Sequence, residues 1–170
     1  MKNLIIILLL SVLLAGCQTS QWNLDNNDLQ NWSYGDLRLI DPVDAIAPDQ
    51  DLIALYTRIN EKYFQIRIDF LDLDTVPGQD IYILIDTNPG GIAEITTAND
   101  GITTVDLNWD YMIKIPSLGK VGIVDDHLAS IYGMGLLIVR DTTQDTIVIR
   151  FNRSVLPISL GKTKLQVIIT

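Results

Sequence analysis

The sequence predicts an all-β fold, an antiparallel β-sandwich of about nine strands, and three observations carry that prediction. Apolar residues recur with a period of two along most of the chain after Tyr34, as in half-buried strands. Of the 21 acidic residues only Glu61 and Glu94 are glutamate; the rest are Asp, which favours turns over helix interiors. Clusters of Asn, Asp, Pro, Gly and Ser fall between the alternating runs, where strands must reverse. No segment sustains a 3.6-residue period, although Asp125–Ile131 has room for one or two helical turns.

The strands are expected in the following order. Short apolar runs place the first two near residues 36–40 and 52–58. In the third, Phe64, Ile66, Ile68 and Phe70 alternate with Gln65, Arg67 and Asp69. Ile81 to Ile85 is apolar without interruption, as a central strand buried on both faces would be. Val105, Leu107, Trp109, Tyr111, Ile113 and Ile115 then alternate with Asp106, Asn108, Asp110, Met112 and Lys114, so one long strand is expected there. Further strands follow near 120–124 and 133–140. Ile147, Ile149 and Phe151 alternate with Thr146 and Arg150, and a last strand runs over 163–169. Turns are expected at Asn60-Glu61, Val76-Pro77-Gly78, Asn88-Pro89-Gly90-Gly91, Ser117-Leu118-Gly119 and Asp141-Thr142-Thr143-Gln144.

Composition narrows the function classes. A hydrophobic content of 48% is ample for a core and excludes a disordered chain. A net charge of −9 and a pI near 4.3 argue against nucleic acid as a partner, because phosphate binding needs a basic footprint. At 170 residues one domain is the default.

The amino terminus sets the expected location. Lys2 precedes an almost purely apolar run from Leu4 to Ala15, too short to span a bilayer but of the length of a signal-peptide core. Leu14-Ala15-Gly16-Cys17 resembles the lipobox of bacterial lipoproteins, in which the Cys is acylated and becomes the first mature residue. That resemblance implies a cleaved signal peptide over 1–16 and a lipidated Cys17 heading a flexible, Asn- and Gln-rich tether over 17–33. The sandwich domain follows over 34–170. Cys17 is the sole cysteine, so no disulfide forms within the chain. Loss of residues 1–16 removes Lys2 and leaves the remainder more acidic still, so the expected partner is the membrane through the lipid alone. The expected location is the cell membrane or outer membrane, facing outside the cytoplasm.

Several segments carry a second resemblance. Ile40-Asp41-Pro42-Val43-Asp44, Asp51 to Tyr56, Tyr63 to Asp69, Leu71-Asp72-Leu73 and Ile81 to Asp86 together resemble DOMON-like β-sandwiches. That group includes carbohydrate-binding modules of the ninth family and the carboxy-terminal domain of glucodextranase-type enzymes. Trp109-Asp110-Tyr111 is similar to their middle strand, and the likeness covers about residues 36–170. It implies sugar or haem binding, or service as an accessory module beside a catalytic domain; haem ligation of that kind would need a Met and a His on facing elements, for which Met112, Met134 and His127 are the candidates.

Candidate ligand residues fall into two sets. Asp86, Asn88 and Gly91 stand at positions one, three and six of a loop that echoes the start of a calcium loop, with Glu94 at position nine. Thr97 occupies position twelve, where a bidentate Glu would be needed, and Asn-Pro-Gly-Gly also reads as a tight turn. No cofactor is expected, with calcium at this loop the possible exception, and the turn is the simpler reading. Asp106, Asn108 and Asp110 share one face of the expected long strand, a row of oxygens suited to sugar hydroxyls or simply to water. Trp32, Tyr34, Tyr63 and Tyr132 are the aromatic candidates for stacking on a sugar; for Trp32, packing back on the domain edge is the simpler reading, beside a place at the bilayer interface or against a ligand. Asp41, Asp44, Asp49 and Asp51 form a further acidic cluster, read as a solvated loop. His127 is the one histidine, so a multi-histidine zinc site is excluded, and Asp125-Asp126-His127 with Ser130 lacks a nucleophile elbow.

The functional expectation is a non-catalytic, lipid-anchored extracytoplasmic module that binds carbohydrate or serves as an accessory domain. Two alternatives stand beside it: the leading module of a longer surface polysaccharide-active enzyme, and a structural or assembly lipoprotein. The lipid anchor is directly testable. Metabolic labelling with a fatty-acid analogue should mark the wild-type chain and send it to the membrane fraction. Cys17→Ala should take up no label, and label in that variant overturns the lipobox reading.

Overall fold

Strand-forming runs separated by Asx and Gly turns produce eleven strands in the computed structural model, which describes residues 32–170 apart from residue 46 and the segments 75–77, 98–100, 118–119, 132–134 and 159–161. The expected signal peptide, Cys17 and the tether up to residue 31 lie outside the described residues. The strands are β1 (Leu37–Ile40), β2 (Leu52–Ile59), β3 (Tyr63–Phe70), β4 (Ile81–Asp86), β5 (Ile92–Thr97) and β6 (Gly101–Trp109). They continue with β7 (Tyr111–Ile115), β8 (Gly122–Asp125), β9 (Leu137–Asp141), β10 (Thr146–Asn152) and β11 (Lys164–Ile169). Single 3₁₀ turns occupy Tyr34–Asp36, Pro48–Gln50 and Arg153–Val155. Among the described residues no helix is long and apolar enough to cross a membrane.

The strands assemble into an all-β sandwich. One sheet has five strands in the order β1-β2-β3-β10-β9, and the other has four in the order β11-β4-β7-β8. All pairings are antiparallel. The main core lies between the sheets: Phe64, Ile66 and Ile68 of β3 and Ile147, Ile149 and Phe151 of β10 meet Ile81, Ile83 and Ile85 of β4. Fully burying an isoleucine of this kind contributes about 2 kcal/mol.

The expectation of nine strands falls short in two places. β5 lies where the sequence suggests a loop, because the Gly90-Gly91 turn before it and the short IAEITT run hide its pairing with β6. The long strand expected over 105–115 is two strands, divided by a bend at Asp110. β6 pairs with β5 in a separate hairpin, whereas β7 pairs with β4. The bend also inverts the phase of the apolar face. Val105 and Trp109 belong to a second core with Tyr82, Leu84, Ile95 and Met112, while Ile113 points into the main core with Tyr111 and Ile115 packed against it. The β5–β6 hairpin therefore forms a third layer on the outer face of the four-stranded sheet. β4 is buried on both faces, as its unbroken apolar run indicates.

Asp110 holds this corner. Its Oδ2 accepts hydrogen bonds from the Thr87 N–H (2.7 Å), the Thr87 hydroxyl (2.8 Å) and the Asn88 N–H (2.9 Å), and its own N–H donates to the Ile85 carbonyl at 2.9 Å. Gly91 passes so close beneath that a Cβ would sit 2.5 Å from the Trp109 carbonyl oxygen, and its φ of +77° is one that L side chains rarely adopt. Trp109 is fully buried beside it, its indole N–H donating to the Glu94 carbonyl at 3.1 Å.

Turn chemistry elsewhere follows the sequence. Asn60 Oδ1 accepts from the N–H groups of Lys62 and Tyr63, closing the β2–β3 turn. Asp141 Oδ1 does the same for Thr143 at the β9–β10 turn. The helical turns expected over Asp125–Ile131 are instead a tight Asx turn. Asp125 Oδ1 accepts from the His127 and Ala129 N–H groups, Leu128 takes a φ of 61°, and Ser130 returns to pair with Val124.

At the other end of β4, Asp80 ties three strands together. It exchanges two backbone hydrogen bonds with Thr170, and its carboxylate accepts from the Ser117 N–H (2.7 Å), the Ser117 hydroxyl (3.0 Å) and the Tyr82 hydroxyl (3.2 Å). Lys114 Nζ lies 3.2 Å away. Burial opposes ionisation of Asp80, but the Ser117 donors and the Lys114 ammonium outweigh it and hold the carboxyl below the ordinary carboxylate range.

Two measurements check this account. Asp110→Ala leaves two backbone donors without their acceptor and should lower unfolding stability in urea by about 2–3 kcal/mol, whereas exposed Asp106→Ala should stay within about 0.5 kcal/mol of wild type. Because the folded-state pKa of Asp80 lies below its unfolded value of 3.8, its stabilisation is present above that pH and fades as pH falls through the folded value. The melting temperature of Asp80→Asn should accordingly lie furthest below wild type near neutrality, and the gap should narrow below about pH 4.

Candidate functional site

Alternation along β2, β3 and β10 sends one set of side chains into the main core and leaves the other on the outer face of the five-stranded sheet. The outward set is Tyr56 and Arg58 on β2, Tyr63, Gln65, Arg67 and Asp69 on β3, and Arg150 on β10. Register brings them side by side, since Tyr56 pairs with Arg67, Arg58 with Gln65 and Gln65 with Arg150. Each cation of this array lies against a ring. The Arg58 guanidinium is 3.9 Å from the Trp32 ring centroid, that of Arg67 5.4 Å from Tyr56, and that of Arg150 4.6 Å from Tyr63. Lys62 Nζ approaches Tyr63 at 4.7 Å. Trp32 also meets Tyr56 edge-on at 6.1 Å.

Hydrogen bonds fix the guanidinium planes. Arg67 binds the Asp69 carboxylate through two nitrogens, at 2.6 and 3.1 Å, and Arg58 Nε donates to Gln65 Oε1 at 2.8 Å. Such pairing lowers the conformational freedom a ligand would otherwise have to remove. Burial, and then the Asp69 carboxylate, push the Tyr56 hydroxyl above the usual tyrosine range, so it remains a hydrogen-bond donor across the physiological range. A sheet face with three aromatic rings, oriented guanidinium groups and a carboxylate offers stacking area and polar groups to a ring-shaped ligand.

Of the residues singled out from sequence, Trp32 and Tyr63 fall on this face, and the other described ones lie elsewhere. Trp32, expected in the tether, packs on β2 and belongs to this array. Tyr34, two residues on, is 93% exposed in the 3₁₀ turn before β1. Asp106 and Asn108 are exposed on β6, in the layer at the opposite side of the sandwich. Asp110 does not join them in a row, because the chain bends there and its carboxylate is taken by Thr87 and Asn88.

In the Asp86–Gly91 loop the groups that converge are N–H and O–H donors around the Asp110 carboxylate, the reverse of the oxygen cage a calcium ion requires. Asp86 instead pairs with Lys164 at 3.0 Å. Asn88 is exposed and its side-chain amide donates to the Thr87 hydroxyl; Glu94 contributes its backbone carbonyl to Trp109. Among the described residues no three Asp, Glu, His or Cys side chains form a group that could hold a metal ion. His127 is exposed, 3.9 Å from Asp126, and Met112 lies in the second core. Tyr132 and Met134 fall outside the described residues.

Tyr56, Arg58, Gln65, Arg67 and Arg150 were not identified from sequence as a site. The available signal was that the polar alternates of three separate strands include arginine and tyrosine, residue types enriched at recognition surfaces. No protein-family model matches the chain, and no curated protein matches its sequence.

Proposed function

We propose that the protein is a non-catalytic, lipid-anchored extracytoplasmic binding module of the DOMON-like kind, holding carbohydrate on the outer face of its five-stranded sheet. The observation that carries this reading is the array of Trp32, Tyr56 and Tyr63 interleaved with Arg58, Arg67, Asp69 and Arg150 on one sheet face. Aromatic rings supply apolar stacking area at low entropic cost, and guanidinium, carboxylate and amide groups supply the directional bonds that distinguish one hydroxyl pattern from another. The chain as a whole carries a net charge of −9, which disfavours a long polyanion at a distance, while the face itself sets three arginines against the single Asp69 carboxylate.

The role of the anchor in this proposal is positional. A module tethered through Cys17 would keep its ligand at the membrane surface, and stable retention needs more than one acyl chain. Polysaccharide pull-down with the full chain tests the reading. At least one neutral polysaccharide should retain wild type, and Trp32→Ala or Tyr63→Ala should weaken retention by about fivefold to a hundredfold, the effect of about 1–3 kcal/mol for a lost stacking contact. Asp106→Ala, on the far side of the sandwich, should bind like wild type. Failure of every neutral and acidic glycan tested overturns the proposal, as does equal retention of all three variants.

A further inference from the structure

The two sheets part along one side of the molecule, where β1, an edge of the five-stranded sheet, comes near β11, an edge of the four-stranded sheet. A cleft of ≈ 700 Å³ opens there into the sandwich interior. Leu39 and Leu55 line it from the first sheet, Leu165 from the second, and Phe64 and Ile158 close its depth with main-core side chains. Arg38, Lys162 and Lys164 also line it, and all three are exposed. A second hollow of ≈ 320 Å³ shares Leu39, Leu55 and Leu165 with the first and continues past Asp41, Asp44 and Asp51. The combined cleft is thus cationic at one end, apolar along its middle and acidic at the other.

From this geometry we infer that the cleft binds a free single-chain anionic amphiphile of the fatty-acid class, its carboxylate at Arg38 and Lys162 and its alkyl chain along Leu39, Leu55 and Leu165. Size is the first argument, because small-molecule sites commonly measure about 300–1,000 Å³ and are lined mainly by apolar groups with a few placed polar ones. Charge is the second. Arg38 makes its hydrogen bonds to neutral acceptors, the Thr57 hydroxyl and the carbonyls of Thr57, Gly35 and Leu37, so its charge is oriented but not neutralised by a carboxylate. Lys162 has no partner among the described residues, whereas Lys164 is paired with Asp86. Two cations with no counter-ion among the described residues, beside an apolar cleft, stand out in a chain with 21 acidic residues and 12 basic ones. The acidic far end sets direction: an anionic head is repelled from Asp41 and Asp44 and drawn to Arg38. This site is separate from the outer sheet face and does not depend on its binding sugar.

Photolabelling in membranes carrying the full chain tests the inference, with a diazirine-bearing dodecanoate as the probe. Adducts should map to peptides containing Leu39, Leu55 or Leu165. Excess octanoate, decanoate and dodecanoate should compete with potency rising about fourfold per methylene, the increment expected for burying each CH₂. Dodecyltrimethylammonium, with the same chain and the opposite head, should compete at least tenfold less well. Lys162→Glu, a change on an exposed side chain, should weaken labelling about tenfold. Leu39→Trp should fill the cleft and abolish labelling while protease resistance shows the sandwich intact. Adducts confined to other segments, competition independent of chain length, or equal competition by the cation each overturn the inference. Labelling unchanged in both variants does the same.

Discussion

Strand β4 must be covered on both faces, and most of the architecture answers that single constraint. Each residue from Ile81 to Ile85 is withdrawn from solvent, with the odd positions in one core and Tyr82 and Leu84 in another. A strand of this kind cannot sit at an edge or in a two-layer sandwich with one wet face. It needs neighbours on both sides, supplied by β7 and β11, a facing sheet, supplied by β3 and β10, and a cover on its far side, supplied by the β5–β6 hairpin. Tyr82 brings a hydroxyl into this apolar setting, and Asp80 accepts its hydrogen bond. The same carboxylate then gathers Ser117 and Lys114, so the polar demand created by one buried ring organises the start of β4 and the exit from β7.

The cover can reach its place only if the chain changes sheets between Trp109 and Tyr111. A continuous strand would keep Trp109 and Ile113 on one face, whereas the bend at Asp110 gives each to a different core. The corner is made from complementary polar and steric parts: a carboxylate facing inward, the Thr87 and Asn88 donors that surround it, and a glycine where no Cβ fits. A segment whose residue types echo a calcium loop thus serves an anion that the protein itself provides.

Much of this was legible in the residues. The double burial of β4 follows from its unbroken apolar run, β3 and β10 follow from strict alternation, and β2 follows from a short apolar run. The hairpin layer did not follow, because alternation reports that a strand has an apolar face but not which core that face meets. From Val105 to Ile115 the pattern is continuous while the backbone passes from one sheet to another. The candidate binding face was hidden for a related reason. Tyr56, Arg67 and Arg150 are each ordinary wet-face residues on their own strands, and they become an array only through register between β3 and β10, which lie far apart in sequence. Trp32 stands in a polar neighbourhood that reads as linker, yet a ring of that size is expected to pack back on the domain, and Arg58 and Tyr56 hold it there across a distance that local composition does not encode.

The pairing of β4 with β11 bears on the order in which the chain becomes a protein. Ile81 lies opposite Ile169, and Lys164 opposite Asp86, so one side of the most apolar strand is completed by a segment made long after it. During synthesis β4 emerges with β7 soon to follow, yet its other edge stays open until β11 has left the ribosome. Contacts of such sequence separation close slowly, and an apolar strand with an open edge is a template for pairing with other chains in the meantime. The native molecule conceals this strand completely, but its nascent form must carry one edge of it open while everything from Asp86 to Lys164 is made.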